Sequence, residues 1–231
     1  LVAPGIVLNK DGAFQRTLRY RGPDLESGTG AELVSVTARL NNILKRFGEG
    51  WALFLEAERI PANDYPGARF GDAASWLVDY ERHAAFSADG AHHESRYYLT
   101  LRHLPPPERE GRAERMRYER TDDEQMQADV FAQLEWFQTE TDRAFEMLAA
   151  ILPEAEPLGD TETLTFLHGT ISGKRHPVAV PAIPSHLDAI LCDTPFLGGV
   201  EPKLGDEHLR VLTVLGFPGV TTPGVLDALN D

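Results

Sequence analysis

The sequence predicts an α+β fold, a mixed but mainly antiparallel β-sheet with helices packed on it. Three observations carry that expectation. Strand-type apolar runs and 3.6-residue amphipathic patterns succeed one another in the order β-β-α-β-α-β-α. Hairpin chemistry stands near both ends. Of 231 residues, 42% are hydrophobic and 25% charged, which is ordinary globular composition and enough to bury a core.

The first hairpin pairs Ile6 to Asn9 with Phe14 to Arg21 across Lys10-Asp11-Gly12, where glycine suits a positive φ. Phe14, Leu18 and Tyr20 share one strand face, and Gln15, Thr17, Arg19 and Arg21 the other. After Gly22-Pro23-Asp24, Thr29 opens a helix with Glu32 at capping-box spacing. Leu33, Val36, Leu40, Ile43 and Leu44 form its buried stripe, and Gly48 and Gly50 end it. Trp51 to Ala57 is apolar on both faces and reads as a central strand. A second helix, about 72–86, offers Trp76, Leu77 and Tyr80 as anchors, and Tyr97 to Leu104 is the next strand.

The strongest helical pattern starts at Thr121 with a second T-x-x-E box to Glu124. It runs to about Leu152 through Met126, Val130, Leu134, Phe137, Phe145 and Leu148, and Pro153 stops it. A shorter helix follows from about Thr161 to His168. Pro177 to Pro184 cannot be a central strand throughout. Leu187 to Leu191 makes a helical turn or two. A last hairpin pairs Phe196-Leu197 with Leu209 to Phe217, and Thr222-Pro223 starts a final helix with proline at its first position. The whole of 1–231 reads as one domain with a soft internal boundary near 153–160. Leu1 without a methionine, and Asp231 just after a helical pattern, read as cut ends of something longer.

Composition narrows the function classes. The net charge of −14 repels a phosphate backbone, so direct nucleic-acid binding is not expected. The arginines between Arg109 and Arg120 are interleaved with Glu108, Glu110, Glu114 and Glu119, which leaves that run nearly neutral. No stretch has the roughly 18 uninterrupted apolar residues of a membrane span, and no signal peptide is visible. A single cysteine, Cys192, permits no internal disulfide and fits a reducing compartment.

Candidate chemistry dissolves residue by residue. Gly169 to Lys174 imitates a phosphate-binding loop, but only three residues separate its glycines and Arg175 stands where a Ser or Thr should hold magnesium. It also follows a helical pattern instead of a strand, so an ordinary turn is the better reading. Gly28-Thr29-Gly30 lacks the strand and third glycine of a dinucleotide site. His92-His93-Glu94 would send its ligands to opposite strand faces, with no C-x-x-C or H-x-x-x-H pair to complete a metal site. Glu56 and Glu58 share a strand face, yet exposed strand glutamates are commoner than catalytic dyads. His168 suits a helix C-terminus. No G-x-S-x-G elbow marks a hydrolase, and Cys192 has no nucleophile signature. No catalytic residue, cofactor ligand or metal ligand is therefore expected.

The chain nevertheless resembles a known group. Val2 to Gly12 followed by Phe14-Gln15-Arg16, Ala38-Arg39-Leu40-Asn41-Asn42, Gly50-Trp51-Ala52-Leu53, Tyr97 to Leu101, Phe166 to Ser172, and Leu209 to Thr213 with Gly216-Phe217-Pro218 are similar to the N-terminal region of TrbE-type conjugal-transfer ATPases, members of the VirB/CagE/TrbE family of type IV secretion. The resemblance covers essentially the whole chain, and none of these segments is a catalytic motif.

The resemblance implies a parent of two portions in which a RecA-like motor, absent here, binds ATP and magnesium at the cytoplasmic face of the bacterial inner membrane. It implies for this portion an assembly and docking role toward inner-membrane secretion subunits and neighbouring protomers. A free-standing cytosolic enzyme and a DNA-contacting module of the transfer machinery are the alternatives. For docking, the first hairpin is the expected edge, through Val2, Ile6, Val7 and Leu8, with core burial as the rival explanation of the same residues. The C-terminal run Val211, Leu212, Val214, Leu215 and Phe217 is the second apolar stretch, read as meeting the remainder of the same protein.

Overall fold

The computed structural model describes residues 1–23, 28–62, 65–88, 92–105, 123–183, 185–213, 216 and 219–220, the side chains at 61 and 123–128 excepted. Its main sheet has five strands, β1 Ile6–Leu8, β2 Phe14–Arg21, β3 Trp51–Pro61, β4 His93–His103 and β5 Glu154–Pro157. The order is β1-β2-β4-β3, with β5 also on β2 beyond the end of β1, and every pairing is antiparallel. The α+β class holds. The expected central strand does not: β3 lies at the free edge, because β4 folds back between it and β2.

Alternation assigns the two sheet faces. Phe14, Arg16, Leu18 and Tyr20 stand beside His103, Leu101, Leu99 and Tyr97 on one face. This face takes α1, Gly30–Leu44, and α3, Asp123–Ala149. Leu18, Ile43, Leu99, Leu101, Ala144, Phe145 and Leu148 form the larger core cluster, and Ile6, Phe14 and Phe137 a second. Fully burying a side chain of this size contributes about 1.5–3 kcal/mol. Trp51 stacks on Phe137 at 5.6 Å and meets His103 at 4.8 Å, closing the core at the start of β3. Arg16 sits over the Phe145 ring and donates to Asp142 at 2.6 Å and Thr141 at 3.0 Å, which ties β2 to α3. The capping box at Thr29 and Glu32 is present, and Ile43 is buried, but Leu44 is exposed.

The opposite face is more polar. A buried hydroxyl pair, Thr17 and Thr100 at 2.9 Å, lies at its centre. Tyr98 packs on Phe166 of α4, Asp160–Ile171. Leu164 of α4, Val178 and Leu191 of the single-turn α5, Asp188–Leu191, make a third small cluster.

Several expectations need correction. The segment read as a soft boundary contains β5, four residues paired with β2, so 153–160 is stitched into the sheet. The last hairpin pairs β6, Phe196–Leu197, with β7, Lys203–Leu204, and β8, Glu207–His208, instead of with Leu209 onward. Gly205 at φ +62 permits that tighter turn. The helix at 73–86, α2, forms behind an Asp72 cap, yet Trp76, Leu77 and Tyr80 anchor nothing in the core. Val130 of α3 is exposed as well. The cap at Thr121, the Met126 side chain, most of the arginine run, Val214, Leu215 and Phe217, and the helix expected after Thr222 lie outside the described residues.

Candidate functional site

The most exposed apolar surface adjoins the free edge. Leu55 is 72% exposed and Phe54 54%, with Leu53 also open. Leu53 and Leu55 lie on the core face of the sheet and Phe54 on the other, so the edge is apolar on both sides. Its hydrogen-bonding direction follows from two bonds that bracket the β3–β4 ladder. Leu104 N–H donates to Gly50 O at 2.9 Å and Ala62 N–H to His92 O at 3.0 Å. Even-numbered β3 residues therefore bond to β4, and the N–H and C=O groups of Leu53, Leu55, Ala57 and Arg59 point away from the sheet. Between β3 and β4 the chain makes an excursion carrying α2. That helix has no buried residue, and Trp76, Leu77, Val78 and Tyr80 are all exposed. Tyr65 steadies it by stacking on His83 and donating to Asp79 at 2.7 Å.

The hairpin expected to dock behaves differently. Ile6 is 0% and Val7 5% exposed, inside the protein, while Val2 and Leu8 are partly open. β1 does lie at a sheet edge, but the chain's own start covers it: Val2 N–H donates to Ile6 O and Ile6 N–H to Ala3 O, both at 2.9 Å. The outward groups of β1 are thus already paired at Ile6, and burial is what those two side chains do. Val2 and Leu8 border a groove of about 680 Å³ with Leu167, Ile171 and Leu187.

A second groove, about 580 Å³, lies between the polar sheet face and α4. Glu56 and Glu58 do share a face there, with Arg19, Arg96, Tyr98, His168, Lys174, Arg175 and His176 around them. Arg175 pairs with Glu58, and Tyr98 donates to it at 3.4 Å. Burial pushes the Glu56 carboxyl above its ordinary range, with Arg175 opposing. The two glutamates differ in surroundings, yet each is answered by a cation, an arrangement that closes a surface more readily than it performs acid–base chemistry.

Around the imitation phosphate loop the structure shows a carboxylate hub that the sequence alone did not reveal. Asp193 Oδ1 accepts from Ser172 Oγ at 2.7 Å and Thr194 Oγ1 at 2.9 Å. Lys174 Nζ lies 3.2 Å from Oδ2. These donors, the Ser172 hydroxyl foremost, hold the Asp193 carboxyl far below the usual carboxylate range. His168 Nε2 is 3.3 Å from Oδ2 but too poorly aligned for a hydrogen bond. Ser, His and Asp therefore meet in the wrong order for a nucleophile: the hydroxyl donates directly to the carboxylate instead of to the imidazole. Lys174 N–H bonds back to Ser172 Oγ at 3.1 Å, and Gly169 lies inside α4, so the segment turns around Ser172 and not around a phosphate. The hub fastens the loop at 193–194 to the end of α4. Its signal in sequence is faint, since 21 positions separate Ser172 from Asp193.

Among the described residues, no three His, Cys, Asp or Glu side chains gather as a metal set, and no helix is long and apolar enough to cross a membrane. His92 stacks on Phe86 and His93 approaches Arg59, both exposed. Cys192 is exposed.

The family model for the type IV secretion system ATPase VirB4/TrbE N-terminal domain matches residues 5–111. The chain is 32% identical to the conjugal transfer protein TrbE of Rhizobium radiobacter over 248 aligned positions, covering 100% of this chain and 30% of that protein. In Sinorhizobium fredii (strain NBRC 101917 / NGR234) a probable conjugal transfer protein TrbE is divided into two polypeptides. To the first of them the chain is 39% identical over 108 residues, 46% of this chain and 72% of that polypeptide. A shorter likeness, 35% over 69 residues, reaches the second, covering 30% of this chain and 10% of that polypeptide. The family model covers β1 through β4, which includes the free edge and α2, and the Rhizobium likeness carries on through the remaining described elements. The chain belongs to the VirB4/TrbE family of type IV secretion ATPases, as an N-terminal domain of the TrbE type.

Proposed function

We propose that this domain is the assembly and docking portion of a conjugal-transfer ATPase. It joins a motor to inner-membrane secretion subunits and to neighbouring protomers at the cytoplasmic face of the inner membrane. Nucleotide and magnesium chemistry then belongs to the region of TrbE-type proteins that this chain does not span. The carrying observation is the apolar edge of β3 with α2 beside it in sequence. An unpaired eleven-residue strand with Leu53, Phe54 and Leu55 open is a surface that natural proteins cover or blunt. An amphipathic helix with Trp76 and Tyr80 in solvent offers the large aromatic contacts that dominate interfaces.

The test uses a full-length TrbE-type parent carrying Leu55→Lys together with Trp76→Ser, and measures its recovery with detergent-solubilised inner-membrane secretion subunits. Recovery is expected to fall at least about tenfold, as loss of one hot-spot contact produces, with an unchanged circular dichroism spectrum. Recovery equal to the wild type would remove β3 and α2 from the docking surface.

A further inference from the structure

We propose that the free edge of β3 is completed by β3 of a second copy of this chain, antiparallel about a two-fold axis passing through Phe54. The proposal rests on reading the β3 edge as a docking surface and names its occupant.

Geometry restricts the choice of register. The outward hydrogen-bonding groups belong to odd-numbered residues, so a symmetric antiparallel pairing must bring odd opposite odd and centre on a residue. Centring on Glu56 would set Glu56 against its own copy, a like-charge pair directly opposite. Centring on Leu55 would set Phe54 against Glu56. Centring on Phe54 sets Leu53 opposite Leu55 in two hydrogen-bonded pairs and Phe54 opposite Phe54 in the closer, non-hydrogen-bonded pair between them. The three apolar side chains that stand open along this edge thereby cover one another.

Charge follows the same register. Glu56 falls opposite Ala52 and Glu58 opposite Gly50, so no two carboxylates face each other. Arg59 of each copy comes opposite Glu49 of the other; both are exposed, and of opposite sign. Two-fold symmetry repeats each contact, which suits a self-complementary patch. The contact area is that of a short strand pair, so the dimer is a weak one that forms over roughly 1–100 µM.

The experiment takes the 231-residue chain in a Cys192→Ser background. Phe54→Cys should form a symmetric disulfide on mild oxidation, since side chains in a non-hydrogen-bonded pair stand about 4.5–5.5 Å apart at Cβ. Ala57→Cys should not, because the two positions then lie six residues apart along the ribbon, about 20 Å. Sedimentation velocity without any cysteine should show a concentration-dependent dimer that Leu55→Lys abolishes without altering the monomer's spectrum. A chain that stays monomeric up to about 100 µM, a dimer indifferent to Leu55→Lys, or a disulfide at 57 as ready as at 54 would overturn the pairing. If the dimer fails while Leu55→Lys still releases the full-length parent from its membrane partners, the docking surface stands and only its occupant is wrong.

Discussion

The amide of Gly5 donates to Oδ1 of Asp160 at 2.7 Å, joining positions 155 residues apart at the turn before β1 and the first turn of α4. Gly5 has φ +66, and a β-carbon placed there would lie 2.3 Å from the carbonyl oxygen of Leu158. Gly5→Ala should therefore cost about 2–4 kcal/mol in urea unfolding, from backbone strain and overpacking together. Gly12→Ala is the control. It has a comparable φ of +86 in open space and should cost only about 1–2 kcal/mol.

Thr17→Val leaves the Thr100 hydroxyl buried without its partner, and should destabilise by roughly 1–3 kcal/mol. Adding Thr100→Val should recover most of that loss, since two methyl groups then meet. A double-mutant cycle by chemical denaturation measures it, and simple additivity would show the pair to be no unit.

Val7→Lys tests what the first hairpin does. Because Val7 is buried, a lysine there strands a charge and should destabilise the chain by roughly 3 kcal/mol or more. The expected readout is a lowered unfolding midpoint. A fully stable variant would return the hairpin to the surface.

Stability should fall in acid in two separate steps. Burial lowers the pKa of His103, so the unfolded chain binds its proton first and stability is lost as pH drops below about 6.5. Asp193 is depressed by its hydroxyl donors, so its contribution is present above about 3.9 and disappears only as pH falls further toward its folded value. Thermal unfolding against pH should lose the upper step in His103→Phe and the lower one in Asp193→Asn.

Neither ATP nor DNA should bind this chain. Calorimetry with Mg-ATP should show no heat of micromolar binding, and a signal lost on Lys174→Ala would contradict the reading of Gly169 to Lys174 as a turn on Ser172. A gel shift at nanomolar protein that weakens steeply with salt would contradict the expectation drawn from −14 net charge.

What the residues decided on their own is local. Thr29 with Glu32 and Asp72 with Ser75 set helix starts through side-chain oxygens three residues from their donors. Lys10-Asp11-Gly12 closed a hairpin for a similar reason, and the composition and segment likenesses pointed to the family without any pairing being known. Tertiary structure decided the rest, because the deciding contacts are remote. Trp51 to Ala57 carries the pattern of a buried strand, yet its place depends on β4 returning between it and β2. Trp76 and Leu77 carry the pattern of core anchors, yet the core they would enter is filled by α1 and α3. Val7 looks like a docking residue until Val2 and Ala3 are seen folded over its strand. Ser172 and Asp193 become one hub only when the loop after α5 meets the end of α4. A side chain's period tells which face it occupies, and only the packing of distant segments tells whether that face is covered.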